Sequence, residues 1–314
     1  GREESTRFMN KNFVVVGPTA SGKSSLAVKL AKELNGEVIG LDSRQIYRFM
    51  EIGTAQPTPE EMNGIQHHLF GEINPDQAIS SGEYAKMVGD REKGTLIRER
   101  VPIVCGGSGL YFRALTTGFF DGSGTDENIR KKLKEQLEIK GSIKLLEKLK
   151  KIDPEYAEIV HSNNHKRLLR ALEIYEMTGL PPSEHFRRQK LNSQKQNQYF
   201  TIYLKGSLDS IAKRIENRTA SMLKNGWVEE VKSLLEKVYR TDCHPMDSIG
   251  YREIIQHLNG GLDYDDMVDL INLRTRKYAK KQMKWFDKEK IDLTINIDDS
   301  ESILQEIIFT TKGL

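Results

Sequence analysis

The fold is decided by an eight-residue stretch near the N-terminus, Gly17-Pro18-Thr19-Ala20-Ser21-Gly22-Lys23-Ser24. It follows a short apolar run, Phe13-Val14-Val15-Val16, and precedes a helical pattern that begins near Ser25. A strand, the spacing G-x-x-x-x-G-K-[ST] and a helix together predict a phosphate-binding loop, because the glycines let successive N–H groups point inward. In such a loop Lys23 reaches terminal phosphate oxygens and Ser24 can bind magnesium. The stretch predicts binding of a polyphosphate without saying which one.

The composition is that of a globular protein in a reducing compartment. No uninterrupted apolar stretch among the 314 residues is long enough to cross a bilayer, and the polar first residues lack the apolar core of a signal peptide. The two cysteines, Cys105 and Cys243, form neither a disulfide framework nor a Cys-rich zinc site. We therefore expect a cytoplasmic protein without a membrane segment, and we expect a monomer.

Strand and helix signals alternate along the N-terminal third of the chain, as they do in an α/β protein with a parallel sheet. The predicted strands are residues 13–16, 37–41, 101–105 and 199–204, with a short strand within 66–73 and a last one at 291–297. The predicted helices are 25–34, 82–100, 110–118, 208–225, 227–239 and 263–288. The fold class is thus α/β, with a P-loop NTPase-like parallel sheet core flanked by helices.

A change of composition indicates a second domain. The sequence of residues 121–124 predicts a flexible connection. Residues 127–178 have a helical pattern, with many Lys and Glu and no clear strand. The polar stretch 186–198 predicts a loop. We therefore predict a catalytic core formed by 8–125 and 199–314, interrupted by a mostly helical insertion domain at 126–198.

An acidic residue follows the second predicted strand rather than the strand at 101–105. Besides the phosphate loop, kinases and other NTPases usually carry an Asp at the end of another strand, where it supports magnesium. Here the strand at 101–105 is followed by Gly106-Gly107-Ser108-Gly109, without an acid. Asp42 instead follows 37–41, at the edge where functional groups gather in an open α/β sheet. A carboxylate there can accept a proton from an incoming nucleophile, or it can simply cap the next turn.

Basic residues are clustered although the net charge is only +3. The clusters are 166–170, 187–190 and 274–286, the last with interleaved aromatic residues. Each could be a solvated helix face on its own. Several such clusters beside a phosphate site favour a polyanionic partner.

Six further short sequence motifs follow one another along the chain. They are Asp42-Ser43-Arg44-Gln45-Ile46-Tyr47, Ile52-Gly53-Thr54-Ala55-Gln56-Pro57, Gly106-Gly107-Ser108-Gly109-Leu110-Tyr111, Arg167-Leu168-Leu169-Arg170-Ala171-Leu172-Glu173, Ile249-Gly250-Tyr251, and Arg276-Lys277-Tyr278-Ala279-Lys280-Lys281-Gln282 with Trp285-Phe286. With the phosphate loop, this series resembles the bacterial tRNA dimethylallyltransferases, also called tRNA isopentenylpyrophosphate transferases. The resemblance covers residues 13–286.

The resemblance implies an enzyme, a prenyltransferase that modifies tRNA. The family moves a dimethylallyl group from dimethylallyl diphosphate to N6 of adenosine 37, beside the anticodon, in tRNAs that read codons beginning with U. Diphosphate leaves with the help of Mg2+. The phosphate loop then grips an isoprenoid diphosphate rather than ATP, which suits the missing acid after 101–105. The implied partners are dimethylallyl diphosphate and the tRNA anticodon stem-loop.

The resemblance also implies roles for individual residues. Asp42 is the catalytic base, Thr19 contacts the bridging oxygen of the diphosphate, and Arg218 contacts the diphosphate. The diphosphate-binding residues are Gly17, Pro18, Thr19, Ala20, Ser21, Gly22, Lys23 and Ser24, and Ser24 is the metal ligand. The tRNA-binding residues are Asp42, Ser43, Arg44, Gln45, Ser108, Arg130, Lys166, Arg167, Leu168, Leu169 and Arg170.

Departures from the family pattern and rival functions stay open at this point. Ser108 replaces a Thr, Gln56 stands where Lys is frequent, and Lys281 and Lys284 stand where Arg and Thr are common. One rival is an isopentenyltransferase acting on free AMP or ADP, against which the basic helices argue. The others are a P-loop small-molecule kinase using ATP and a noncatalytic RNA-binding protein.

Overall fold

A computed structural model of the chain describes residues 12–116, 125–192, 198–237, 239, 243–299, 305 and 307, with side chains for all of these except 188–192. The predicted connection at 121–124 lies outside the described residues. Within them, no helix combines the length and the apolar character that a membrane span needs.

The structure contains a six-stranded sheet in which every neighbouring pair of strands is parallel. The strands are β1 (Asn12–Val16), β2 (Gly36–Gly40), β3 (His67–His68), β4 (Val101–Gly106), β5 (Tyr199–Lys205) and β6 (Leu293–Asn296), in the order β3-β2-β4-β1-β5-β6. Val15 pairs with Cys105 on one side and with Ile202 on the other. A strand covered on both faces is apolar throughout, which explains the unbroken run in β1.

The strand predicted within 66–73 is shorter than expected. Only His67 and His68 pair with β2, because Leu69 has a left-handed backbone with φ of 67° and turns the chain out of the sheet. The other predicted strands are confirmed to within one or two residues. The parallel sheet flanked by helices confirms the predicted α/β, P-loop NTPase-like fold class.

The described chain forms two compact units. The first comprises the described residues of Gly1–Ala78, Asp90–Gly109 and Tyr199–Leu314. Besides the sheet it holds α1 (Lys23–Leu34), α2 (Pro59–Met62), α10 (Leu208–Lys224), α11 (Trp227–Glu236), α12 (Tyr251–Leu258) and α13 (Tyr264–Phe286), and the second part of α3 (Ser81–Ile97). Its main core lies between the sheet and the helices α1, α10 and α13 and includes Val15, Leu30, Ile202, Ile215 and Ala279.

The second unit comprises the described residues of Ile79–Gly89 and Leu110–Gln198. Its helices are the start of α3, then α4 (Gly109–Thr116, from Leu110 onward), α5 (Glu127–Lys140), α6 (Ser142–Ile152), α7 (Pro154–Ile159), α8 (His165–Thr178) and α9 (Pro182–Asn192). Leu133, Leu149 and Leu168 are fully buried in its core. This unit therefore starts earlier than the insertion expected at 126–198, and those expected boundaries stay a prediction.

The loop expected at 186–198 is wrong for its first part, because α9 extends to Asn192. Pro182 supplies a backbone suited to the first helical turn. Asp153 then accepts hydrogen bonds from the backbone N–H of Ser183 (2.8 Å) and from its hydroxyl (2.8 Å). The ring of Phe186 lies 6.1 Å from that of Tyr156. These tertiary contacts hold a helix whose polar sequence carries little helical periodicity.

A buried carboxylate ties β2 to the residue that follows α3. Glu37, 2% exposed, accepts hydrogen bonds from Arg98 Nη2 (2.6 Å) and Nε (3.1 Å) and lies 2.7 Å from His68 Nε2. The hydrogen bond from Arg98 outweighs burial and lowers the pKa of Glu37 to about 2. Because the folded pKa lies below the ordinary value, ionised Glu37 stabilises the fold above pH 4.5 and loses that effect as the pH falls toward 2.

Glu37→Gln should lower the free energy of unfolding by about 2 kcal/mol at pH 7, with the difference from the wild type shrinking between pH 4.5 and 2. Urea unfolding across this pH range measures the effect. Glu135→Gln, on the exposed face of α5, is the control and should show no such pH dependence. An equal loss at pH 3 and pH 7 would contradict the assignment.

Candidate active site

The phosphate loop between β1 and α1 is built by two left-handed residues. Ala20 has φ of 64° and Gly22 has φ of 85°, and the N–H of Ser21 donates to the carbonyl of Pro18 (3.2 Å). This geometry curls the backbone so that its amides can surround an anion. The hydroxyl of Ser21 is buried and has no hydrogen-bond partner in the described part of the chain. A buried polar atom left unpaired in such a loop is what a bound phosphate would satisfy.

Lys23 lies across the loop rather than pointing to bulk water. Its Nζ donates to the carbonyl of Pro18 (3.2 Å). Burial lowers the pKa of Lys23, and the nearby guanidinium of Arg218 lowers it further. Ser24 is exposed in the first turn of α1. The ammonium and the hydroxyl thus stand where the motif predicts them, beside the helix N-terminus.

Arg218 reaches the loop from α10. Its Nη1 donates to the hydroxyl of Thr19, which is itself only 7% exposed. Burial lowers the pKa of Arg218 to about 10, and Arg44 acts in the same direction. Two residues that lie 199 positions apart in sequence therefore form one contact. The structure brings together Thr19 and Arg218, the pair expected at the diphosphate.

Asp42 begins the turn that follows β2. Its Oδ1 accepts the backbone N–H groups of Arg44 (2.8 Å) and Gln45 (3.0 Å), so the carboxylate does cap the turn, as one reading of the sequence expects. The same carboxylate acts on the phosphate loop: its charge raises the pKa of both Lys23 and Arg218. Asp42 therefore combines a structural contact with a position beside the cradle.

The turn at Asp42 is held from two sides. Arg44 Nη1 donates to the carbonyl of Ile249 (3.2 Å). Gln45 Nε2 donates to the carbonyls of Thr54 (2.9 Å) and Ala55 (3.0 Å), so its amide is engaged with the protein's own backbone. Ser43 is half-buried. These contacts fix the orientation of the Asp42–Gln45 segment.

Glu230 of α11 has no role predicted from the sequence, although it joins two motifs identified there, at 52–57 and 249–251. It accepts the backbone N–H groups of Ile52 (2.7 Å) and Gly53 (3.2 Å) and the hydroxyl of Tyr251. Burial raises the pKa of Glu230. The carboxylate thereby anchors the loop whose carbonyls at Thr54 and Ala55 hold Gln45.

A small cavity of about 30 Å³ lies next to Arg218. Its apolar wall is formed by Ile215, Met222, Trp227, Ile249 and Ile271, and its polar rim by Arg44, Arg218 and Tyr278. Burial and the charge of Asp42 raise the pKa of Tyr278, which keeps this phenol protonated. An apolar wall thus adjoins the cationic side of the phosphate loop.

The segment after β4 approaches the phosphate loop closely. A Cβ at Gly107 would lie 2.9 Å from the carbonyl oxygen of Gly17 and 3.5 Å from Lys23 Nζ. A Cβ at Gly106 would overlap the carbonyl of Leu41. Ser108 is half-buried in this segment. The glycines are required here because two strand ends and the loop meet without room for side chains.

The second unit carries a separate basic cluster. Glu173, 1% exposed, accepts hydrogen bonds from Arg130 Nε (2.7 Å) and Arg170 Nη1 (2.7 Å). Burial alone would raise the pKa of Glu173, but the two guanidinium groups lower it. The cluster lines a cavity of about 490 Å³ together with Lys134 and Lys166.

The remaining tRNA-binding candidates of this unit differ in exposure. Lys166 and Arg167 are exposed, and Leu169 lines the cavity. Leu168 is fully buried among core residues, so its side chain presents no surface to a ligand. The expected tRNA contacts of this segment stay predictions.

Comparison with known proteins agrees with this geometry. The sequence model of the family described as IPP transferase matches residues 45–289. The tRNA dimethylallyltransferase of Acetivibrio thermocellus is 39% identical over 295 residues, which cover 94% of each chain.

Solved structures are similar over the same length. The tRNA isopentenylpyrophosphate transferase of Bacillus halodurans aligns with a TM-score of 0.68 and 35% identity, over 97% of this chain and 96% of that one. A eukaryotic dimethylallyltransferase described as acting on tRNA aligns with a TM-score of 0.70 and 28% identity, over 95% of this chain and 78% of that one.

The fold and the loop define a P-loop transferase with a helical second unit. More particularly, the chain belongs to the IPP transferase family, that of the tRNA dimethylallyltransferases. The resemblance seen in the sequence motifs is confirmed.

Proposed function

We propose that this protein transfers a dimethylallyl group from dimethylallyl diphosphate to N6 of adenosine 37 in tRNAs that read codons beginning with U, releasing diphosphate. The observation that carries the proposal is the contact of Arg218 with Thr19 in the phosphate loop, with the Asp42 carboxylate acting on the same group of cations. A cradle for a leaving diphosphate and a proton acceptor therefore lie side by side. The family membership of the chain supports the same reaction.

The diphosphate of the substrate would be bound by positively charged side chains and by backbone amides of the phosphate loop. Lys23, Arg218 and the loop amides surround the position of an anion, and the Thr19 hydroxyl lies within hydrogen-bond reach of Arg218. These groups stabilise the negative charge that grows on the diphosphate as its bond to the dimethylallyl carbon breaks.

Asp42 acts on the acceptor, the N6 amine of the adenine. The N6 amine of adenine is a weak nucleophile because its lone pair is delocalised into the ring. As the N–C bond forms and the C–O bond to diphosphate breaks, one N6 proton passes to the Asp42 carboxylate, so that a neutral secondary amine and free diphosphate result. A positioned base of this kind accelerates such a step by roughly 10²–10⁴-fold.

Magnesium fits the donors at the loop. Mg2+ keeps several waters and binds through one or two protein oxygens together with phosphate oxygens, and Ser24 offers an exposed hydroxyl beside the cradle. Among the described residues no group of three or more His, Cys, Asp or Glu side chains could hold a metal by itself. When bound with the diphosphate, the ion neutralises part of the charge of the leaving group.

The acceptor must be a nucleotide that has left its stack, because an enzyme cannot reach N6 of a stacked base. Single-stranded RNA loops are recognised by cations and by stacking surfaces. The Arg130 and Arg170 pair in the second unit and the basic residues of α13 suit the anticodon stem-loop. The expectations of a cytoplasmic location and of a monomer stay predictions.

Mass spectrometry of tRNA nucleosides after incubation with dimethylallyl diphosphate and magnesium tests the reaction. N6-dimethylallyladenosine at position 37 supports it, and a product formed only with free AMP or ADP would favour the rival transferase. A kinase is disfavoured because β4 ends at Gly106 and is followed by Gly107-Ser108-Gly109, without an acid. Formation of ADP from ATP without any prenylated product would reverse that judgement.

Asp42→Asn separates the two roles of this side chain. The amide oxygen of Asn can still accept the N–H groups of Arg44 and Gln45, so the turn should persist, but the amide cannot take the N6 proton. We expect kcat to fall by roughly 10²–10⁴-fold with thermal stability unchanged. Asp42→Ala, which removes both roles, should lose stability as well. Full turnover by Asp42→Asn would exclude Asp42 as the base.

Glu173→Gln should weaken tRNA binding without affecting chemistry. Loss of the charge releases Arg130 and Arg170 from their fixed orientation. We expect the KM for tRNA to rise about tenfold, because the two guanidinium groups lose their common anchor even though the cluster gains one positive charge. Glu176→Gln is the matched control, since its carboxylate is 30% exposed and pairs only with Lys148 among the ion pairs described here. An unchanged KM for tRNA would exclude the role.

A further inference from the structure

One side chain joins the phosphate loop to the segment after β4. Gln282 lies on α13 and is only 7% exposed. Its Oε1 accepts the backbone N–H of Thr19 (2.9 Å), and its Nε2 donates to the carbonyl of Gly107 (2.9 Å). The two contacts span 263 and 175 positions of sequence, respectively.

A carboxamide has both the acceptor and the donor that these two contacts need. A carboxylate has no proton to give to the Gly107 carbonyl, and an ammonium has no lone pair for the Thr19 N–H. A buried donor or acceptor that loses its partner destabilises the fold, so the two hydrogen bonds favour an amide at position 282. The side chain of Gln282 therefore holds together the segments at Thr19 and Gly107, just beyond Val16 and Gly106, where the pairing of β1 with β4 ends.

The contact also decides which group of Thr19 faces a ligand. Loop amides are the usual donors to a bound phosphate, but the Thr19 amide is already engaged by Gln282. What Thr19 offers instead is its hydroxyl, which meets Arg218. Gln282 thus holds the residue in the orientation in which Thr19 and Arg218 act together.

The surroundings leave the amide little freedom. A Cβ at Gly107 would overlap Gln282 Nε2. One turn away, the ring of Trp285 is packed so closely on Gly109 that a Cβ there would lie 2.5 Å from it. The carbonyl of Met283 accepts the hydroxyl of Tyr203 (3.4 Å). This part of α13 is therefore fixed to the sheet and to the glycine segment at once.

We propose that Gln282 is a positioning residue for the diphosphate: by holding the Thr19 amide and the Gly107 carbonyl, it keeps Thr19 and Arg218 aligned on the leaving group. This role rests on the proposed function for its kinetic consequence. Its binding consequence concerns the phosphate loop alone and can be measured with inorganic pyrophosphate.

The first test uses Gln282→Glu and Gln282→Leu. We expect the KM for dimethylallyl diphosphate and the Kd for inorganic pyrophosphate to rise about tenfold or more, and the KM for tRNA to stay within about twofold. Gln282→Glu should be the worse variant because it also brings a negative charge to an anion site. Gln256→Glu, on the exposed side of α12, is the matched control and should leave both constants unchanged.

A second variant reaches the same contact from the opposite side. Gly107→Ala displaces Nε2 while retaining the glutamine, and its Cβ also lies 2.9 Å from the carbonyl oxygen of Gly17. It should raise the same two constants, and the Gln282 variants decide how much of the rise belongs to the glutamine. Pyrophosphate affinity equal to that of the wild type in a folded Gln282 variant or in Gly107→Ala would overturn the proposal. If the wild-type protein binds pyrophosphate but prenylates no tRNA, the proposed function fails while the pyrophosphate comparison still decides the role of Gln282.

Discussion

Parallel pairing of β1 with β4, and of β4 with β2, is the constraint on which the site depends. Parallel strands end at the same edge of a sheet, so the loop at 17–24, the turn at Asp42 and the glycine segment at 106–109 all emerge side by side. Burial of both sheet faces fixes this pairing, since β1 and β4 are apolar along their length. The chemistry of three distant segments is therefore assembled by the register of three strands.

Three helices contribute side chains to the site at the ends of the strands. The sheet edge supplies backbone amides and one carboxylate but few cations. Arg218 from α10 adds a positive charge, and Glu230 from α11 holds the loop that supports Gln45. Gln282 from α13 ties two strand ends together. Each contact uses a partly or fully buried polar group with a defined partner, and such groups specify geometry because leaving them unpaired is costly.

The second unit holds two cations with one buried anion. Arg side chains at a surface are mobile, and the RNA contact that we propose for this unit would need them held in fixed directions. Glu173 is buried beneath Arg130 and Arg170 and neutralises only one of the two charges. The pair thus keeps a net positive charge and gains a preferred orientation.

Much of the molecule follows from local sequence. The loop motif, the apolar runs of β1 and β4 and the position of Asp42 predict the fold class and the cradle, because period and turn chemistry are properties of short segments. The resemblance carried by the motifs also implies that Thr19 and Arg218 each contact the diphosphate, whereas their contact with each other is found only in the structure. The helix at Pro182–Asn192 does not follow from its polar sequence, since contacts of Ser183 and Phe186 with distant residues stabilise it. The helix Tyr251–Leu258 was likewise not predicted, because its start depends on Gly250, with φ of 90°.

The phosphate loop, the parallel sheet and the carboxylate at the end of β2 can all be predicted from the amino-acid sequence, because each depends on short stretches of neighbouring residues. How these parts are held together depends on contacts that form only in the folded chain. Gln282 meets Thr19 and Gly107, and Glu230 meets Ile52 and Gly53, across more than 170 positions of sequence. No local pattern distinguishes such a buried glutamine or glutamate from one on a solvated helix face; the partners that make them specific exist only once the chain has folded.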